Sequence, residues 1–322
     1  MPVPVGLHCS HEQIPPSVLL DAVSKAERAG FGAAMSSDHF SPWSERQGES
    51  GFAWSFLGAA MARTSLPFGV VNAPGDRYHP AIVAQAAASL SEMFPGRLWV
   101  ALGTGEASNE HITGAAWPDK ATRNARLREC VGVMRELFAG EVVDHDGLVR
   151  VDRARLWTLP ADPPPLIGPA ISEETAAWVG EWADGLVTVN QPREKLERMI
   201  AAFREHGGEG KRLAVQVHLS WAEDDDTALR IAHDQWRTNV FPPPLCWDLQ
   251  TVEQFDLAAR HVRPQDLSDA VVVSADLGRH LEVLRELAEL GFDEIYLHHV
   301  GQELGPFIET FGEHVLPELA RD

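Results

Sequence analysis

The sequence predicts an α/β protein of the (β/α)8 TIM-barrel class. Three observations predict it. Short apolar runs alternate with longer helical patterns from end to end, which implies a parallel sheet. About eight such units fill 322 residues, which suits a closed barrel with insertions. No G-x-G-x-x-G follows the first apolar run, so the rival doubly wound fold lacks its dinucleotide turn.

The elements follow in order. Residues 3–9 read as a buried strand, and 16–29 as an amphipathic helix closed by Gly30. Residues 32–37 form the next strand, followed by a polar loop to Gly51 and a helix over 52–63. After a strand at 67–72, Pro80 opens a helix over 80–93, a position that suits proline. A strand at 97–102 and a helix over 120–138 follow. Further strands are expected at 166–168, 185–189, 214–220 and 294–298. Helices are expected over 173–182, 193–205, 225–239, 277–290 and 306–316. Two stretches break the rhythm. Residues 141–158 alternate like a hairpin with a turn at Asp146-Gly147. Residues 241–269, opened by Pro242-Pro243-Pro244, are too long for a simple loop and should form a partly helical wall or lid. With no repeat, low-complexity tract or linker, residues 1–322 read as one domain carrying those two insertions.

Composition narrows the function. A net charge of −20 argues against nucleic acid and against an anionic membrane surface, both of which need clustered Lys and Arg. Cys9, Cys130 and Cys246 are too few and too scattered for a disulfide framework or a zinc site, so no metal is expected. No apolar run approaches the ~20 residues of a membrane span, and the N-terminus has no basic, apolar leader. The expectation is a soluble cytoplasmic protein whose partner is a small-molecule substrate.

The chemistry gathers at predicted strand ends, where barrels collect it. Ser37-Asp38-His39-Phe40-Ser41-Pro42-Trp43 brings an acid, an imidazole and an indole out of the second strand. His39 can accept a proton from a substrate hydroxyl, or it can be a surface-loop histidine. Trp43 can stack on a flat ring or fill core. Gly103-Thr104-Gly105-Glu106 ends the fourth strand; its glycines allow close approach of a ligand, and Glu106 can act as an acid if burial raises its pKa. Arg77-Tyr78-His79-Pro80 puts His79 at a helix start, facing the pocket mouth or simply capping. Pro169-Ala170-Ile171-Ser172-Glu173-Glu174 is a strand-to-helix turn where Ser172 is a candidate N-cap and phosphate site, although the two acids oppose a phosphate. His8, His298 and His299 end strands and can point into the mouth, and Trp236 belongs to pocket or oligomer surface.

These motifs, with Gly51-Phe52-Ala53-Trp54, Phe94-Pro95-Gly96-Arg97 and Ala107-Ser108-Asn109-Glu110, resemble the luciferase-like monooxygenase superfamily. The similar branch is that of the F420-dependent (5-deazaflavin) glucose-6-phosphate dehydrogenases. The resemblance covers nearly the whole chain. It implies a barrel, often a homodimer, that binds F420 or FMN at its C-terminal mouth. It implies catalytic roles for His39 as proton acceptor, Glu106 as acid and Trp43 as stacking indole. It implies cofactor contacts at Asp38, Gly105, Asn109, Ala170 and Ser172, a residue near the sugar-phosphate pocket at Thr188, and a cis peptide between Val70 and Val71 against the ring. Two features depart from the branch. The phosphate turn, Gly168-Pro169-Ala170-Ile171-Ser172, has fewer glycines, and the sugar-phosphate lysines are replaced near Gln191 and Leu257. The substrate implied is therefore not glucose 6-phosphate, and FMN stands beside F420 as cofactor.

The expected function is hydride transfer between such a cofactor and a small alcohol, carbonyl or activated alkene. An FMN-dependent two-component monooxygenase and a non-catalytic flavin-binding protein are the alternatives. A paired base and acid, His39 with Glu106, sets an enzyme apart from a storage protein.

Overall fold

Eight parallel strands close on themselves in the computed structural model, which describes residues 3–321. They are β1 (Val5–Cys9), β2 (Ala33–Ser37), β3 (Phe68–Asn72), β4 (Leu98–Leu102), β5 (Leu166–Pro169), β6 (Gly185–Val189), β7 (Arg212–Ser220) and β8 (Glu294–His299). Each pairs with its sequence neighbour, and β8 returns to β1 through Val5 opposite Ile295 and Leu7 opposite Leu297. Helices α1 (Pro16–Arg28), α2 (Ala53–Arg63), α3 (Pro80–Met93), α4 (Lys120–Phe138), α5 (Glu173–Gly180), α6 (Arg193–Phe203), α7 (Asp225–Trp236) and α8 (Leu277–Glu289) connect successive strands, and α9 (Leu304–His314) follows β8. The expected barrel and nearly all of its elements are present.

Side-chain alternation divides each strand between two cores. Leu7, Phe68, Val70, Val100, Leu213 and Ile295 face the helices. Ala33, Met35, Trp99, Ala101, Ile167, Val187, Ala214 and Tyr296 fill the lumen. The lumen is a packed core in the manner of this fold. Trp99 reaches across it and donates to Tyr296 Oη at 3.1 Å. It fits because Gly69 has no side chain: a Cβ there would lie 2.0 Å from the indole. The lumen is thus filled below the mouth by Trp99 and Tyr296, whose hydroxyl donates in turn to Glu294 Oε2 at 2.7 Å.

The two interruptions are built as expected in kind. The hairpin pairs Val143–Asp146 with Arg150–Ala154. The stretch after α7 contains short helices at Leu245–Asp248 and Val252–Ala258. It is tied over the mouth by Ser44 Oγ and Glu45 N, which donate to the Asp256 carboxylate at 2.7 and 3.1 Å. Two features were not expected. Val272–Val273 adds a short strand to the end of β7, and Ala107–Glu110 forms a one-turn helix after β4. No described helix is long and apolar enough to cross a membrane.

The expected cis step is absent. The Val70–Val71 peptide is trans; among the described residues the cis bond is Pro243–Pro244. Both valines sit in the regular ladder, paired with Ser36 and Ser37 on one side and Val100 and Ala101 on the other. The strand therefore passes through this point without a bulge.

Candidate active site

The C-terminal ends of β2, β3, β4 and β5 surround a cleft. Val71, Leu102, Leu127, Ile171 and Trp178 give it apolar walls, and Gly103 and Gly105 bring backbone to its edge. Gly105 has φ +82°, and a Cβ there would meet Glu110 Cγ at 2.9 Å, so this turn needs glycine. Trp247, from the stretch after α7, closes one side.

His39 leaves β2 with its side chain mostly covered. Its Nδ1 lies 2.7 Å from Glu12 Oε1, and Glu12 is fully buried. Ser10 and Ser37 hydroxyls donate to the same carboxylate at 2.8 and 2.6 Å. Burial alone would push Glu12 up. The charge and hydrogen bond of His39, with the Ser37 hydroxyl, instead hold it well below the usual carboxylate range. Burial likewise favours neutral His39, but Glu12 and then Glu106 outweigh it and raise the imidazole above its ordinary value. Glu12 fixes Nδ1 and leaves Nε2 as the nitrogen that can exchange a proton.

Sequence reasoning missed Glu12. The signal was present: Ser10-His11-Glu12-Gln13 leaves the first strand as Asp38-His39 leaves the second.

Glu106 comes from the β4 turn to the same place. Trp43 Nε1 donates to Glu106 Oε2 at 3.2 Å, and the Trp43 ring packs edge-on to His39 at 4.6 Å. Burial pushes Glu106 above the ordinary carboxylate range, against the pull of His39 and Trp43. Asn109 fixes the pair of loops: its Oδ1 accepts from Phe40 N at 2.8 Å, and its Nδ2 stands 3.5 Å from Glu106 Oε2. The structure thus brings His39, Trp43, Glu106 and Asn109 together.

The other expected contacts divide. Asp38, Val71, Gly105 and Ala170 line the cleft. Asp38 is buried and already engaged, accepting from Asn72 Nδ2 at 2.7 Å, while Arg77 Nη2 donates to its carbonyl at 2.5 Å. Val70 faces the helices, and Thr188 is buried beside Gln191 Nε2 at 3.4 Å; neither is among the lining residues. Ser172 is not among them either. Its hydroxyl caps α5 by accepting from Thr175 N at 3.3 Å, and Thr175 itself lines the cleft. Ser172→Ala should therefore lower stability by ~1 kcal/mol through the lost cap. Thermal unfolding checks this; a cofactor affinity that falls with it would place a phosphate at this turn, and an unchanged affinity would place it elsewhere. Glu173 does not oppose an anion there, because Arg198 Nε holds it at 2.6 Å. His79 does not line the cleft: it caps α3 and reaches the Arg150 carbonyl at 2.7 Å.

The cleft's chemistry fits a flat ring with an anionic tail. Lys120 and Arg123 line it. Arg123 is 4 % exposed, and its buried Nε has no partner among the described residues; Asn72 Oδ1 is likewise unpartnered. A free buried donor on a guanidinium and a free buried acceptor are costly unless a ligand meets them. No described group of acids, cysteines and histidines is arranged to hold a metal ion.

Comparison with known proteins agrees with this geometry. The chain is 33% identical to an F420-dependent glucose-6-phosphate dehydrogenase of Nakamurella multipartita, over 99% of this chain and 97% of that one. The Mycobacterium tuberculosis enzyme of the same name is 30% identical, with 98% of each chain covered. An F420-dependent secondary alcohol dehydrogenase, solved with an F420-acetone adduct, superposes with a TM-score of 0.91 at 29% identity and complete coverage of both chains. The family model for luciferase-like monooxygenases matches residues 2–294. The chain is an oxidoreductase, and it belongs to the luciferase-like monooxygenase family.

Proposed function

We propose that this chain is an F420-dependent dehydrogenase that interconverts a small alcohol and its carbonyl compound. The observation that carries this is the buried Glu12–His39 pair, 2.7 Å apart, set beside Trp43 and Glu106 at the cleft. An imidazole oriented through Nδ1 and raised in basicity is what proton removal from an alcohol requires. The hydroxyl proton goes to His39 Nε2 as the carbinol hydrogen leaves as hydride; in the reverse direction His39 returns the proton to the carbonyl oxygen. F420, when bound, supplies the two-electron hydride acceptor. Glu106, held toward its protonated form and fixed by the Trp43 N–H at 3.2 Å, offers a polar contact without a second full charge. Asn72 and Arg123 offer the free acceptor and donor that would hold the ring and tail.

Lys120 and Arg123 favour F420 over FMN, because the deazaflavin carries the longer anionic tail. Titrating the apo-protein with each cofactor tests this. F420 should bind tightly and lose its absorbance on addition of 2-propanol. Tight binding of FMN alone would overturn the proposal and favour the two-component monooxygenase.

A further inference from the structure

The residues of the proton relay leave different strands. Glu12 follows β1, whereas His39 and Trp43 follow β2. Their alignment depends on what fastens the β1 loop to the β2 loop. Two ties are direct: Ser37 Oγ donates to the Glu12 carboxylate at 2.6 Å, and Glu49 N donates to the Glu12 carbonyl at 3.1 Å. The others run through four glutamines that sequence reasoning did not single out.

Gln47 is 1 % exposed. Its Oε1 accepts from Trp43 N at 2.9 Å, and its Nε2 donates to the Gln235 carbonyl at 2.9 Å. Gln235, in the last turn of α7, is also buried. Its Oε1 accepts from Gln13 Nε2 at 3.2 Å, and its Nε2 donates to the Arg46 carbonyl at 3.2 Å. The end of α7 therefore grips the β1 loop one residue past Glu12 and the β2 loop at Arg46 and Gln47. Trp236, the next residue along, packs on Trp43 at 5.8 Å. Gln302, in the turn between β8 and α9, closes the stitch from outside. Its Nε2 lies 3.1 Å from the Gln13 carbonyl and 3.1 Å from the Gln47 carbonyl.

We propose that Gln47, Gln235 and Gln302 are positioning residues of the proton relay: they hold the β1 and β2 loops in register so that Glu12 meets His39 and Trp43 meets Glu106. This rests on the dehydrogenase reading above and deepens it. None of the three lines the cleft, so they act only through the residues they hold. An amide donates and accepts in one neutral group, so the stitch adds no charge beside the buried Glu12–His39 pair. Loosening it lengthens the 2.7 Å contact of that pair. Burial favours neutral His39; Glu12 and then Glu106 oppose burial, and Arg77 adds to it. His8 and His11, also nearby, are themselves held toward neutrality by burial. A longer contact to Glu12 therefore makes the imidazole less basic.

Gln47→Met and Gln235→Met keep side-chain length and lose the amide. Reduction of bound F420 by 2-propanol should slow ~10-fold in each, within the range for a small misplacement of reacting groups. The midpoint of the pH–rate profile should move down, while the KM for 2-propanol and the affinity for F420 stay near wild type. Gln302 is exposed, so Gln302→Ala keeps the fold, and it should move the midpoint the same way by less. A merely structural role would lower the unfolding temperature and leave the pH midpoint in place; that result in all three variants would overturn the proposal. NMR titration of His39 in the cofactor-free protein, its signal assigned by its absence in His39→Ala, separates the two readings. A lowered His39 midpoint in the variants supports the stitch even if F420 fails to bind and the dehydrogenase reading falls. An unmoved midpoint rejects the stitch even if F420 is reduced.

Discussion

His39→Ala is expected to bind F420 like wild type and to lose ~10²- to 10⁴-fold in turnover, the range for removing a general acid–base. The expectation follows from position. His39 contributes no strand pairing, and its ring contacts are Glu12 and Trp43. Removing it leaves the cation-lined side of the cleft, with Lys120 and Arg123, untouched. Asp38 and Asn72 keep their own hydrogen bond, so the end of β2 stays anchored to β3. Stopped-flow reduction of bound F420 by a saturating alcohol separates the chemical step from binding. A variant that reduces F420 as fast as wild type would exclude His39 from proton transfer. A variant that loses F420 as well would mean that the imidazole holds the cofactor.

Much of this arrangement was legible in the sequence, for physical reasons. A barrel repeats one local pattern, and the apolar runs of its strands are buried on both faces, so alternation alone revealed most elements. His39, Trp43 and Glu106 sit within a few residues of strand ends, where the fold itself aims side chains at the mouth. What was hidden depends on packing between distant segments. Glu12 was not singled out, because only the closure of β1 beside β2 places its carboxylate against His39. Trp236 left pocket and surface open because α7 gives no sign of which neighbour its last turn meets. It is in fact buried against Trp43 and two histidines. His298 and His299 are adjacent in sequence and opposite in fate. His298 faces the lumen, whereas His299 stacks on Phe307 of α9 at 4.9 Å. Strand alternation predicts that they differ, but not which one turns inward.

Glu12→Gln is the sharper test of the relay, because it keeps shape and removes charge. In the wild type the pair stabilises the fold only while Glu12 is ionised and His39 protonated. Glu12 is lowered from its ordinary 4.5, so its share is complete above that value and is lost as pH falls through its folded pKa. His39 is raised from 6.5, so its share is complete below that value and is lost as pH rises through its folded pKa. The pair is therefore most stabilising between about 4.5 and 6.5, and the variant should lose most stability in that window. A stranded buried charge costs about 3–5 kcal/mol. The loss should be smaller than that, because His39 can shed its proton once the carboxylate is gone. The same shedding has a kinetic consequence. Alcohol oxidation needs His39 unprotonated, so the wild-type rate should rise with pH through the raised value of His39. In the Glu12→Gln variant the opposing carboxylate is absent and burial dominates, so the midpoint should move down in pH. The plateau should fall too, since a less basic imidazole is a weaker proton acceptor. Rate profiles and thermal unfolding across the same pH range check both consequences. An unmoved midpoint would show that the group titrating in the rate is not the imidazole held by Glu12.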